Sequence, residues 1–238
     1  MPRAGLSSQD VVAAAAELAD EAGYRELTMG RVAQRLGIRT PSLYKHVDDL
    51  ADLRRRVATQ AVTELGEAVR DALQGRSGLD ALTAMLTTIR AYVTGHPGRY
   101  AATTGQQLTD PADPLVMATS RLLGSIAAML RGYGIGDTEM NHAIRTLRCT
   151  IHGYAALQAA DGFQWSADAD ESFGWMIRFL DRGLQPCARP PETPPARARN
   201  ASEAMPGQEH RMFPLSVTLT VLLLLLETLP SAHSRDDS

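Results

Sequence analysis

Through the first 184 residues, apolar positions recur at steps of three and four, and no stretch alternates with the period of a strand, so the chain reads as all-α. Val11, Ala15, Leu18 and Ala22 mark a first helix, entered at Ser7 and Ser8 and stopped by Gly23. Val32, Ala33 and Leu36 mark a short second helix, with Thr28 as its N-cap and Gly37 as its terminator. After Gly37, residues 39–47 begin a third helix at once, because proline is tolerated in a first turn and Thr40 can cap it. Asp48 and Asp49 restart the chain into a fourth helix carrying Leu50, Leu53 and Val57, which runs past residue 70 to a break at 74–78.

Beyond that break Leu79, Leu82, Leu86, Ile89 and Val93 form an amphipathic helix that ends in a turn at 95–98. Residues 105–114 read as a loop, and Pro114 opens a long helix with Leu115, Leu122, Ile126 and Met129 on its apolar side. Asp137 is placed to cap the next helix, whose Met140, Ile144, Leu147, Ile151 and Tyr154 form a seam for a neighbouring helix. A last helix over 168–184 presents Phe173, Met176, Ile177 and Leu180.

At Pro186 the pattern stops. Six prolines, four arginines and three glutamates fall within 186–211, a composition that cannot bury a core and predicts a disordered Pro/Arg-rich tail over 186–238. Within it, 212–226 is apolar and ends in five leucines, but it is shorter than the roughly 20 residues a membrane span needs.

Composition adds three constraints. With 238 residues and 44% hydrophobic content, the chain can bury a sizeable core. A net charge of -3 gives no overall basic signature, so a nucleic-acid footprint has to be sought locally. Cys149 and Cys187 lie far apart without a CxxC partner and no signal peptide is evident, which predicts a reduced, cytoplasmic setting.

The local footprint lies between residues 25 and 57, where eight basic side chains (Arg25, Arg31, Arg35, Arg39, Lys45, Arg54, Arg55, Arg56) face four acidic ones (Glu26, Asp48, Asp49, Asp52). Two short helices joined at Gly37 would project the second one outward, with a shape that suits a DNA major groove about 12 Å wide. An ordinary solvated surface also carries charge runs, and Arg54 to Arg56 fit that description equally well.

Leu27-Thr28, Val32-Ala33, Leu36-Gly37-Ile38 and the run Pro41-Ser42-Leu43-Tyr44-Lys45-His46-Val47 together resemble the helix-turn-helix signature of TetR-family (TetR/AcrR type) transcriptional regulators. The weaker likeness farther on lies in His152-Gly153-Tyr154, Phe163 and residues 170–173, similar to a subgroup with a Trp-His-Gly motif, in which Ile151 here replaces the tryptophan. The resemblance implies a DNA-binding domain over 7–60 with its motif at 28–47, then a helical-bundle domain over 61–185 for ligand binding and dimerisation. It implies DNA contacts from Thr28, Arg39, Thr40, Pro41, Ser42, Tyr44, Lys45 and His46, with Leu43 and Val47 pointing inward. The sequence departs from the family pattern at Gly30 and Leu50, where base-reading and phosphate-binding side chains often stand.

The implied function is a homodimeric repressor on a palindromic operator, released by a small-molecule effector. Met85, Ile89, Tyr92, Met129 and Tyr133 are candidates to line the effector pocket. No GxSxG, HExxH, P-loop or paired-carboxylate pattern suggests an enzyme, and no cofactor is expected. His142 and His152 are not spaced to put two metal ligands one turn apart, so no metal is expected either. Two other readings remain: a helical-bundle enzyme with a DNA-binding head, and a regulator tethered to a membrane through 212–229.

Overall fold

Ser7 and Asp10 close a reciprocal cap. The Ser7 hydroxyl accepts the Asp10 amide at 3.1 Å and the Asp10 carboxylate accepts the Ser7 amide at 2.8 Å, which starts α1 (Ser8–Ala22). In the computed structural model, which describes residues 6–159, 161–164 and 167–185, all regular structure is helical. The expectations for 186–238, the apolar segment included, fall outside these residues. A 3₁₀ turn, Tyr24–Glu26, leads to Thr28, whose hydroxyl accepts the Arg31 amide at 3.3 Å and caps α2 (Met29–Leu36). Gly37 adopts φ 67°, a left-handed conformation costly for any residue with a Cβ, and lets the Ile38 amide return to the Ala33 carbonyl at 3.0 Å.

The third helix is shorter than predicted. Arg39 takes the N-cap position and Thr40 is the first helical residue rather than the cap, so α3 covers only Thr40–Leu43. The amides of Ser42 and His46 close onto carbonyls three residues back, at 2.9 and 2.8 Å, so the segment tightens into turns instead of prolonging the helix. Asp49 accepts the Asp52 amide at 2.7 Å and starts α4 (Leu50–Leu73) soon afterwards, leaving no room for a nine-residue helix.

Two more expectations change. The segment at 95–98 is no mere turn: Pro97 opens α6 (Pro97–Ala102) directly behind α5 (Gly78–Gly95). Pro114 opens α7 (Pro114–Gly132) as expected, but Asp137 is the first residue of α8 (Asp137–Ala159) rather than its cap, with the Glu139 and Met140 amides turning onto the Gly136 carbonyl. Asp168 caps α9 (Ala169–Leu184) by accepting the Asp170 and Glu171 amides.

Two apolar cores share α4. In the first, Val11, Leu27, Val32, Leu43 and Val47 pack on Leu53 and Val57 of α4, and Ala102, Leu108, Leu115 and Ala118 complete the cluster from α6, α7 and the loop between them. In the second, Leu65 and Val69 of the same helix meet Leu82, Leu86, Leu130, Leu147 and Ile177. Fully burying a Leu or Val contributes roughly 1.5–3 kcal/mol each, so both halves draw much of their stability from one continuous helix. The boundary expected at residue 60 falls inside that helix.

The aromatic residues on either side of the α8–α9 connection converge in space. The Tyr154 ring packs tilted against Phe163 and Phe173, with centroids 4.8 and 5.1 Å apart, and the Arg90 guanidinium lies 4.5 Å from the Phe173 ring while binding Asp170 at 2.7 Å. Arg90 thereby ties α5 to α9.

Candidate nucleic-acid interface

Leu43 and Val47 decide how α3 sits. Their side chains are 0% and 1% exposed, and these two anchors leave the residues around them to face outward. Pro41, Tyr44 and Lys45 are exposed, Tyr44 by 55%, while Thr40, Ser42 and His46 are half-buried and Arg39 is exposed at the entrance. Pro41 in α3 and Tyr44 and Lys45 in the turn after it are thus the exposed side chains of the segment: an apolar ring, a phenol and an ammonium.

The end of this segment is tied down from two sides. The His46 carbonyl accepts both the Ser8 hydroxyl, at 3.1 Å, and the Arg56 guanidinium, at 3.2 Å. A surface held by core anchors and a doubly bonded carbonyl is ordered before any partner arrives, which lowers the entropic cost of binding.

The basic side chains separate into two groups. Arg31 pairs with Glu26 at 2.9 Å, and Arg35 with Glu21 at 2.6 Å and Glu17 at 3.0 Å. Arg54 donates to the Leu27 carbonyl at 3.1 Å and covers the Tyr24 ring, Arg55 pairs with Asp113 at 2.7 Å, and Arg56 with Asp52 at 2.8 Å. The run Arg54–Arg56 is thus an internal brace: each arginine reaches a different neighbour in the fold. Arg39 and Lys45 enter no ion pair among the described residues. The two cations flanking α3 are therefore available to an external anion.

Thr28 completes the surface. Its hydroxyl oxygen caps α2 through the Arg31 amide, and the amides of Met29 and Gly30 stand ahead of it without intrahelical acceptors. A Cβ at Gly30 would meet nothing within 4 Å, so the glycine leaves open space beside those amides.

In the body, α4 to α8 enclose a cavity of about 100 Å³. Of the five residues expected to line it, Met85 and Ile89 do. The other three lie elsewhere for identifiable reasons. Tyr92 donates its hydroxyl to Glu64 at 2.8 Å, Tyr133 donates to Asp181 at 2.7 Å, and Met129 is packed in the second core. Burial, reinforced by the neighbouring carboxylate, raises the phenol pKa of both tyrosines. Tyr100, Thr103, Gln106, Thr119 and Arg148 form the polar part of the wall, and sequence reasoning missed them. One signal was legible: Arg148 interrupts the apolar seam four residues after Ile144 and three before Ile151. His96 faces Asp20 and His152 faces Tyr100, and the described residues contain no cluster of three potential metal ligands.

Residues 11–56 match the model of the tetR family of bacterial regulatory proteins, and residues 82–180 match the model of a tetracyclin repressor-like C-terminal domain. The HTH-type transcriptional regulator Rv0681 of Mycobacterium tuberculosis is 31% identical over 182 residues, covering 76% of this chain and 83% of that protein. The chain belongs to the TetR family. As a TetR-family transcriptional regulator it shares its fold with BioQ, solved with its double-stranded DNA operator (TM-score 0.54, 21% identity, covering 77% of this chain and 100% of that one). It also shares the fold of the Streptomyces coelicolor TetR-family protein ActR, solved in complex with (S)-DNPA (TM-score 0.58, 20% identity, covering 76% and 98%). Among the described residues of this TetR-family chain, no helix is long and apolar enough to cross a membrane.

Proposed function

We propose that this regulator is a cytoplasmic homodimeric repressor that grips a palindromic operator with two α2–α3 heads and releases it when a small molecule enters the body, acting by binding and not by catalysis. The observation that carries the reading is the outward set of Pro41, Tyr44 and Lys45 on a segment anchored by Leu43 and Val47. Arg39, Thr40, Pro41 and Ser42 would face base edges and the adjacent backbone, with Pro41 against a thymine methyl. Tyr44, Lys45 and His46 would donate to phosphate, and Thr28 with the α2 amides would hold a further phosphate at the helix N-terminus. BioQ's operator complex and ActR's ligand complex are consistent with both halves of the proposal. Selecting bound fragments from random DNA tests the reading. A palindrome with half-sites about one helical turn apart is expected. Recovery of no common sequence, or of one half-site only, would overturn it.

Dimerisation has a candidate surface on α8 and α9. Trp175 and Phe179 are 57% and 56% exposed and stacked at 5.3 Å, and Leu157 on α8 is 53% exposed. Large apolar side chains left in water on adjacent helices mark an interaction site. The double substitution Trp175→Ala, Phe179→Ala is expected to raise the dimer dissociation constant about 100-fold or more, read by sedimentation velocity across a dilution series. A dimer that persists unchanged would place the interface elsewhere.

A further inference from the structure

The structure assigns the effector's chemical class: we infer that the body cavity takes a small monocarboxylate, its charged end held by Arg148 and the Tyr100 hydroxyl and its short apolar body packed among Met85, Ile89, Leu122 and Ile126. This rests on the ligand-switch reading above and deepens it.

Arg148 is the only charged side chain among the described residues that line the cavity, and it makes no hydrogen bond or ion pair with any of them. Arg148 is half-buried, and a guanidinium set in a largely apolar wall without a counter-charge is unfavourable, because it stays protonated under all ordinary conditions. Burial pushes the Arg148 pKa below its usual value, in keeping with a cation lacking its partner. Arg55, Arg90 and Arg99 each reach a carboxylate, at 2.7, 2.7 and 3.0 Å, whereas Arg148 on the cavity wall reaches none. A counter-charge at Arg148 would come from outside the described fold. One cation matches one negative charge, and its planar fork suits a carboxylate. A dianionic phosphate would enter a largely apolar cavity with one charge unmatched.

Tyr100 supplies the second donor. Its hydroxyl lies 3.0 Å from His152 Nδ1, and His152 Nε2 is buried without a partner. If Nε2 carried the proton, a donor would be orphaned. With the proton on Nδ1, only a lone pair is unmet, the ring donates to the Tyr100 oxygen, and Tyr100's own proton is free for the ligand. His152 has its pKa lowered by burial and then by the Arg148 charge, so the ring is held neutral as this arrangement requires. The hydroxyls of Thr103 and Thr119 donate to carbonyls of their own helices, at Tyr100 and Leu115, and offer no competing donor.

Size limits the rest of the molecule. The cavity holds about 100 Å³, well below the roughly 300–1,000 Å³ of pockets for drug-sized ligands, and a dry cavity of about 150 Å³ accepts benzene. The fitting molecule is therefore smaller than benzene, a short-chain acid of about three or four carbons with the carboxylate included.

The test uses the full-length protein with propionate and butyrate, each against its uncharged amide, measured by calorimetry and by thermal shift. The acids are expected to bind about 10-fold to 100-fold tighter than the amides, and an acid should weaken operator binding. Arg148→Met should abolish the acid preference while operator binding without ligand persists, and Arg148→Lys should retain part of it. Acids and amides binding alike, no binding by either, or a preference surviving in Arg148→Met would each overturn the inference. If Arg148→Met fails to fold, the acid–amide comparison on the unaltered protein and Arg148→Lys still decide. Acid binding that depends on Arg148 but leaves operator affinity unchanged supports the inference and sinks the switch. Failure to select any operator sinks the regulator reading independently of the cavity result.

Discussion

The variant Gly98→Ala is expected to lose about 3 kcal/mol of stability, a fall in melting temperature of roughly 6–12 °C for a chain of this size. Helix propensity alone predicts the opposite sign, because glycine inside a helix costs roughly 0.5–1 kcal/mol relative to alanine. The difference is packing. Gly98 lies in α6 directly against the backbone of α1, and a Cβ there would overlap the Ala19 carbonyl and the Asp20 amide. Backbone atoms cannot rotate aside as a side-chain tip can, so α6 has to back away from α1.

The polar contacts around that point would separate as well. The Asp20 carboxylate accepts the Arg99 amide at 2.8 Å and forms an ion pair with the Arg99 guanidinium at 3.0 Å, and His96 approaches it at 3.3 Å. Arg99 also reaches Glu64 of α4 at 3.2 Å. These groups join the head to the body, so Gly98→Ala should also blunt any effect of ligand on operator binding. Calorimetric melting checks the first part and operator titration with and without ligand the second. A melting temperature within about 2 °C of the parent would mean that α6 does not seat against α1 this closely.

The second large effect concerns DNA. Lys45→Ala is expected to weaken operator binding about 10-fold to 100-fold and to lower the salt slope by about 0.9 per head, or about 1.8 for a dimer on its palindrome. Tyr44→Ala should weaken binding comparably and leave the slope unchanged, because a phenol releases no counterion. Both residues are exposed and outside the core, so melting temperatures should hardly move. Fluorescence anisotropy between about 50 and 200 mM salt separates the two. An unchanged slope in Lys45→Ala would remove that residue from the phosphate contacts.

The helix starts and stops of the head were legible because their causes are local. Ser7, Thr28 and Gly37 act on amides and carbonyls within a few residues, so their identity suffices to place α1 and α2. The inward pair Leu43 and Val47 was legible through the family resemblance, and both side chains are buried. What stayed hidden was non-local. Nothing around Arg54, Arg55 and Arg56 announces that their partners are Leu27, Asp113 and the His46 carbonyl. Tyr92 and Tyr133 sit on apolar helix faces, as cavity residues would, yet their hydroxyls are claimed by carboxylates 28 and 48 positions away. The helix α6 is six residues long, too short for a periodic pattern, so its proline reads as a stop when it is a start.

The 24 residues of α4 form a rod of roughly 36 Å, with one end embedded beside the head and the other among the cavity helices. A rod that long magnifies angles: tilting it by about 5° would sweep its far end through about 3 Å, close to the 3.4 Å between stacked base pairs. Accommodating a few extra carbons beside Leu65 would thus be enough to put two heads out of step with the helical repeat of the duplex.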